Sequence, residues 1–176
     1  MSNPLGDPLR HNSWATRGVL SFCSRLDGDQ LSASAEGTYG SIIATLQHLL
    51  GAEARYLRRL TGGEPSWPAE PEDTEDLAEL TRMSEDEAEV WESFLQEEFD
   101  PEHVISWTSA MSGAHTEAKA GILVAQTLNH GNEHRAQIFT IITTGLGMEP
   151  PDLDGWSYAM ATGRFAEDPS REQLHT

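Results

Sequence analysis

A chain of 176 residues with 38% hydrophobic and 7% aromatic content is most simply one domain, 1–176, long enough to bury a sizeable core without staples. Its 11 basic residues against 29 acidic ones give a formal charge of −18, which makes contact with nucleic acid or an anionic membrane repulsive and argues against both as partners. Apolar periodicity recurs along most of the chain, which excludes a disordered acidic protein; the single cysteine excludes an internal disulfide, and with no secretory leader or membrane-length apolar run a cytoplasmic location is expected.

The first predicted helix runs from about Pro8 to Leu26, with Trp14, Val19, Phe22, Cys23 and Leu26 on its buried side, and Asp27-Gly28-Asp29 ends it. Cys23, set among apolar neighbours, reads as a small core residue rather than a nucleophile. A loop rich in Ser, Ala and Gly leads to Tyr39. Gly40-Ser41 then opens a second helix that stops at Thr61-Gly62-Gly63, a glycine termination signal. Its apolar arc is Ile42, Leu46, Leu49, Tyr56, Leu57 and Leu60. His48 falls at the margin of that arc beside Ala44, Thr45 and Ala52. Small neighbours leave it room to reach a site shared with a facing helix, and the same spacing also fits a boundary histidine half in water. Glu53 stands at the centre of the arc, about 140° from His48 at about 100° per residue. A straight helix cannot aim both at one ion, so Glu53 is expected to partner a buried polar group or an interface.

The stretch Glu64 to Glu89 carries eleven acids and three prolines (Pro65, Pro68, Pro71) and reads as a loop followed by a short helix near Thr74 to Thr81. Ser84-Glu85-Asp86-Glu87 has the form of a capping box, so a third long helix is expected to begin there and to present Ala88, Trp91, Leu95 and Phe99, with Phe94 alongside. The charge run reads as a solvated face with no chemistry of its own. Asp100-Pro101 closes this helix. Glu102 to Thr116 is the least regular part, with Val104-Ile105-Ser106-Trp107 a brief extended segment; His103 and His115 rank there as loop histidines, below the helical ones as ligands.

The segment Ala118 to Thr144 has strong helical periodicity and ends at Gly145-Leu146-Gly147, with Pro150-Pro151 blocking continuation. His130 and His134 stand about 40° apart on it, in the sector of Leu123, Thr127 and Ile141, so both imidazoles point with the apolar stripe. Two histidines one turn apart can bind one metal ion; otherwise each needs its own buried hydrogen-bond partner. Asn129, Glu133 and Gln137 are near enough in sequence to anchor the second ring nitrogens, and Arg135, facing away from the pair, suits an interhelix salt bridge or a cap. A short last helix starts within Asp152 to Ala159, where Trp156 and Tyr158 either wall a pocket or pack the end of the fold. From about residue 167 the tail looks frayed. Four long helices with short or irregular connections imply an all-α four-helix bundle with a short C-terminal helix, an architecture that places metal sites between facing helices.

The stretches Asn12 to Trp14, Gly40-Ser41-Ile42 through His48 to Ala54, Leu128-Asn129-His130-Gly131-Asn132-Glu133-His134-Arg135-Ala136-Gln137-Ile138 and Asp154-Gly155-Trp156-Ser157-Tyr158-Ala159 resemble, in that order along the chain, the DinB-like superfamily of metal-binding four-helix bundles. His48 together with H-x-x-x-H-R-x-Q is the most specific part; Ala136 stands where the family usually has Gly. The resemblance implies a metal held by three histidines, one from helix two and two from helix four, which are His48, His130 and His134 here. It also implies an activity class, since the family includes S-transferases and isomerases that use bacillithiol or mycothiol, beside many members of unknown reaction. The family's name derives from DNA-damage induction and implies no DNA contact.

Three neutral imidazoles on one divalent cation leave an open position, the pattern of a catalytic site. Zinc or nickel suits nitrogen ligands best, with iron and manganese as alternatives. The expected function is a metal-dependent enzyme acting on a small electrophile, by transfer of a low-molecular-weight thiol or by hydrolysis. The competing expectation is a non-catalytic metal- or small-molecule-binding bundle closed by a fourth ligand such as His103, His115 or a nearby carboxylate. A third is a metal-free interaction protein whose histidines hydrogen-bond in the core. The expected partner is a small-molecule substrate; pairing into a homodimer through exposed helical faces is compatible with such a bundle, though no stretch of the sequence requires it.

Overall fold

The computed structural model describes residues 3–62, 76–109 and 112–166. The chain is mostly helical: α1 (Gly6–Cys23), α2 (Gly28–Leu31), α3 (Ile42–Thr61), α4 (Leu77–Phe94), α5 (Ala120–Thr140) and α6 (Gly155–Ala161). One antiparallel hairpin, β1 (Val104–Thr108) with β2 (His115–Lys119), lies between α4 and α5 and pairs Ser106 with Glu117 at its centre. Among the described residues no helix is long and apolar enough to cross a membrane.

Local chemistry sets most of the boundaries. The Ser41 hydroxyl accepts from the Ala44 N–H and starts α3, while Gly62, at φ 64°, ends it in the left-handed conformation that favours glycine. Asp76 caps α4 and Asp154 caps α6 in the same way as Ser41. The first turn of α5 has no side-chain cap; its N–H groups at Ala120 and Gly121 donate instead to the carbonyls of His103 and Pro101. Gly121 permits that approach, since a Cβ there would lie 3.2 Å from the Pro101 oxygen.

The four long helices α1, α3, α4 and α5 pack with α1 and α3 each touching both α4 and α5. Leu20, Ile42, Leu46, Leu50, Leu80, Ile138 and Ile141 form the larger core, all within 1% of complete burial. A second cluster gathers Leu9, Leu57, Trp91 and Phe94. Through the middle runs a polar link with one residue from each long helix. Arg135 on α5 donates to the Asn12 Oδ1 on α1 at 2.9 Å, Asn12 Nδ2 donates to the Glu53 Oε1 on α3 at 2.9 Å, and Trp91 Nε1 on α4 donates to the same oxygen at 2.7 Å. Thr16 Oγ1 accepts a further bond from Arg135 at 3.0 Å. Glu53 is therefore the partner of buried polar groups that its position in the apolar arc implied. Arg135 does reach across helices, but its direct acceptors are Asn12 and Thr16. Gly131 makes room for this link: a Cβ on it would fall 2.4 Å from the Asn12 Oδ1.

Several expectations need correction. The short helix near Thr81 and the helix expected from Ser84 are one continuous α4, and Ser84 lies inside it, donating to the Thr81 carbonyl at 2.9 Å. Ser84 and Glu87 occupy buried positions in that helix, so the apolar stripe is interrupted in sequence at the place where it continues in space. Glu87 accordingly belongs to the core, not to a solvated acidic face. The extended segment around Val104 acquires a partner strand, and Ala118 and Lys119 belong to β2, not to the helix that follows. That strand is polar and half-exposed along its length, which hides it from a periodicity argument. Asp27-Gly28-Asp29 opens α2, Asp27 forming a capping box with Gln30, and α1 has already ended at Cys23. The loop expected around Pro65, Pro68 and Pro71, Thr74, and the frayed tail expected from about residue 167 lie outside the described residues.

Candidate metal centre

α3 and α5 pack side by side, and this brings His48 to the two histidines of α5. His48 Nε2 lies 3.2 Å from His130 Nε2, and the ring centroids of His134 are 4.8 Å from His48 and 4.3 Å from His130. One ring nitrogen from each falls within 4.8 Å of the others. His134 is buried and the other two are half-buried, so the trio sits at the edge of the core with one side toward solvent.

The electrostatics favour His48 and His130 as neutral lone-pair donors. Burial, then the neighbouring His134 and His48, pull His130 down to about 4. His48 is lowered by burial, then by His134 and Arg55. Neutral imidazoles that crowd one another are the donor set a divalent cation relieves. Two nitrogens on a tetrahedral ion, each about 2.0–2.1 Å from it, stand about 3.3 Å apart; the His48–His130 separation of 3.2 Å matches this. The three histidines could therefore hold a metal.

Two tyrosines border the trio, and sequence reasoning missed both. Tyr39 stacks on His48 with centroids 4.1 Å apart and meets His134 edge-on at 5.5 Å, while Tyr56 meets His130 edge-on at 5.9 Å. Tyr39 lies in the loop before α3, where no periodicity operates; its only sequence signal is its place two residues before the Ser41 cap. Gln137 also joins the site, its Oε1 lying 3.1 Å from His134 Nδ1.

Other residues singled out in the sequence lie elsewhere. His103 precedes β1 and His115 begins β2, facing Glu117 at 3.3 Å; neither belongs to the group of three. Asn129 and Glu133 are exposed. Tyr158 is buried, packing edge-on against Trp14 and His11 at 5.6 Å, and Trp156 is 66% exposed beside Phe165. Of the two roles considered for them, the contacts of Tyr158 are those of packing. Cys23 is buried, which pushes its thiol up to about 12 and leaves it no nucleophilic character.

A family model described as the DinB family matches residues 1–172. No curated protein matches the chain.

Proposed function

The chain belongs to the DinB family, and from that premise we propose that it is a metal-dependent enzyme, with His48, His130 and His134 as the ligands of a divalent ion, that transfers a low-molecular-weight thiol onto a small electrophile. The observation that carries this reading is the convergence of three ring nitrogens from two helices within 4.8 Å, in a group that among the described residues includes no fourth His, Cys, Asp or Glu. Three protein ligands leave a coordination position for substrate. Zinc or nickel suits an all-imidazole set best, ahead of iron and manganese. When bound, such an ion lowers the pKa of a coordinated thiol or water and so supplies a nucleophile at neutral pH.

The chain's own residues do the rest. The imidazoles of His48 and His130, held neutral by burial, offer lone pairs without first losing protons. Tyr39 and Tyr56 border the trio on two sides, the first stacked on His48 and the second edge-on to His130, so a substrate reaches it past aromatic rings. In the transfer, sulfur bonds to the electrophilic carbon as the leaving group departs with its bonding pair, and the thiol proton passes to solvent. Hydrolysis is the corresponding outcome where water takes the thiol's place. The packing of α1, α3, α4 and α5 supports a four-helix bundle as the frame that fixes this geometry.

Incubating zinc- or nickel-loaded protein with several small thiols and chlorodinitrobenzene tests the reading. A thiol-dependent rate above background is expected, falling to background in His130→Ala. Equal rates in the two proteins would count against catalysis at this centre.

A further inference from the structure

Which nitrogen of His134 faces the trio is decided by a residue that is not itself part of it. The backbone N–H of Tyr39 can only donate, and it lies 3.0 Å from Oε1 of Gln137, 98 positions away in sequence. The Gln137 amide is thereby fixed with its oxygen on this side. The same oxygen lies 3.1 Å from His134 Nδ1. An amide oxygen cannot donate, so the contact is a hydrogen bond only when Nδ1 carries the proton. Nε2 is then left with its lone pair.

We propose that Tyr39 and Gln137 form a brace that fixes His134 in its Nδ1–H tautomer and presents Nε2 to the trio. Gln137 is a positioning residue in this arrangement, acting on the site through His134 alone. Tyr39 does two things at once. Its backbone anchors Gln137, and its ring lies flat on His48 at 4.1 Å, so one loop residue sets the orientation of imidazoles on both α3 and α5. The loop preceding α3 is thus coupled to the ligand geometry without contributing a ligand. The structural part of this proposal stands on the hydrogen bonds; its consequence for metal affinity rests on the ligand assignment proposed above. Outer partners of ligating histidines act in this way, by selecting the tautomer and holding the ring.

The test begins with metal-free protein. Long-range proton–nitrogen spectra of isotope-labelled protein distinguish the two imidazole tautomers, and His134 is expected as Nδ1–H in the wild type. Gln137→Ala is expected to lose that preference, and Gln137→Glu, whose carboxylate can accept from both donors, to keep it. Apparent zinc affinity, from competition with a chromophoric chelator, is expected to fall about 10–100-fold in Gln137→Ala and to return to near wild type in Gln137→Glu. An Nε2–H tautomer in the wild type, or an unchanged tautomer in Gln137→Ala, would overturn the brace. If the spectra follow expectation while zinc binds none of the proteins, the brace is upheld and the ligand assignment alone falls.

Discussion

Replacing Glu53 with leucine is expected to lower folding stability by about 3–5 kcal/mol, the cost of removing one partner from a buried charged network. Glu53 is 4% exposed, and its Oε1 accepts from both Asn12 and Trp91. Leucine would fill the volume but leave the Trp91 and Asn12 N–H groups without an acceptor. It would also leave Arg135, 5% exposed, as an uncompensated buried charge. Burial already pulls that guanidinium down to about 10 against the opposing attraction of Glu53. Arg135→Leu removes the charge from the other side. Because the two residues act through Asn12, the double variant should cost less than the sum of the singles, by about 0.5–3 kcal/mol. Denaturant midpoints at constant m-value measure all three; a wild-type midpoint for Glu53→Leu would mean that the link contributes nothing to stability.

Glu87 gives the second large effect, with a distinctive pH signature. It is 2% exposed, its Oε1 is buried without a hydrogen-bond partner among the described residues, and its pKa is raised well above the ordinary carboxylate value by burial, then by Glu53 and Asp86. A carboxyl whose folded pKa exceeds its unfolded pKa holds a proton that the unfolded chain has already released. Its stabilising contribution is complete below about pH 4.5, the unfolded value, and is lost as pH rises through the folded value. Between those two points the wild type loses up to about 1.4 kcal/mol per pH unit from this one group. Glu87→Gln has no proton to lose. Its stability relative to wild type should therefore be flat in acid, increase from about pH 4.5 upward, and level off once the pH passes the folded value. Taking the difference between the two proteins removes the pH dependence shared with the other acids. A constant difference from acid to alkaline pH would show that Glu87 titrates as an ordinary surface carboxylate.

How much of this was legible in the sequence depends on whether the deciding interaction is local. The ends of α3 are written in Ser41 and Gly62, because a cap and a left-handed turn involve only neighbouring residues. The His130–His134 pair is legible for the same reason, being one helical turn apart. Its meeting with His48 is not local: spacing left His48 at the edge of an apolar arc, and the family resemblance supplied the third residue. Glu87 shows the opposite case. Four residues of local sequence make a good capping box, yet tertiary packing draws this one into the core and runs α4 straight through it. The polar strand β2 is held by pairing with β1, on which Arg59 lies over Trp107, 4.4 Å from its ring, and neither contact leaves a pattern within His115 to Lys119. Tyr39 and Gln137 meet across most of the chain, and only the folded backbone brings them together.

The central claim is that His48, His130 and His134 act as one ligand set. Calorimetric titration of untagged, metal-stripped protein with zinc addresses it most directly. Saturable uptake of one ion per chain is predicted, abolished in His48→Ala as completely as in His130→Ala. Uptake by His48→Ala indistinguishable from wild type, or no saturable uptake by the wild type, would contradict it.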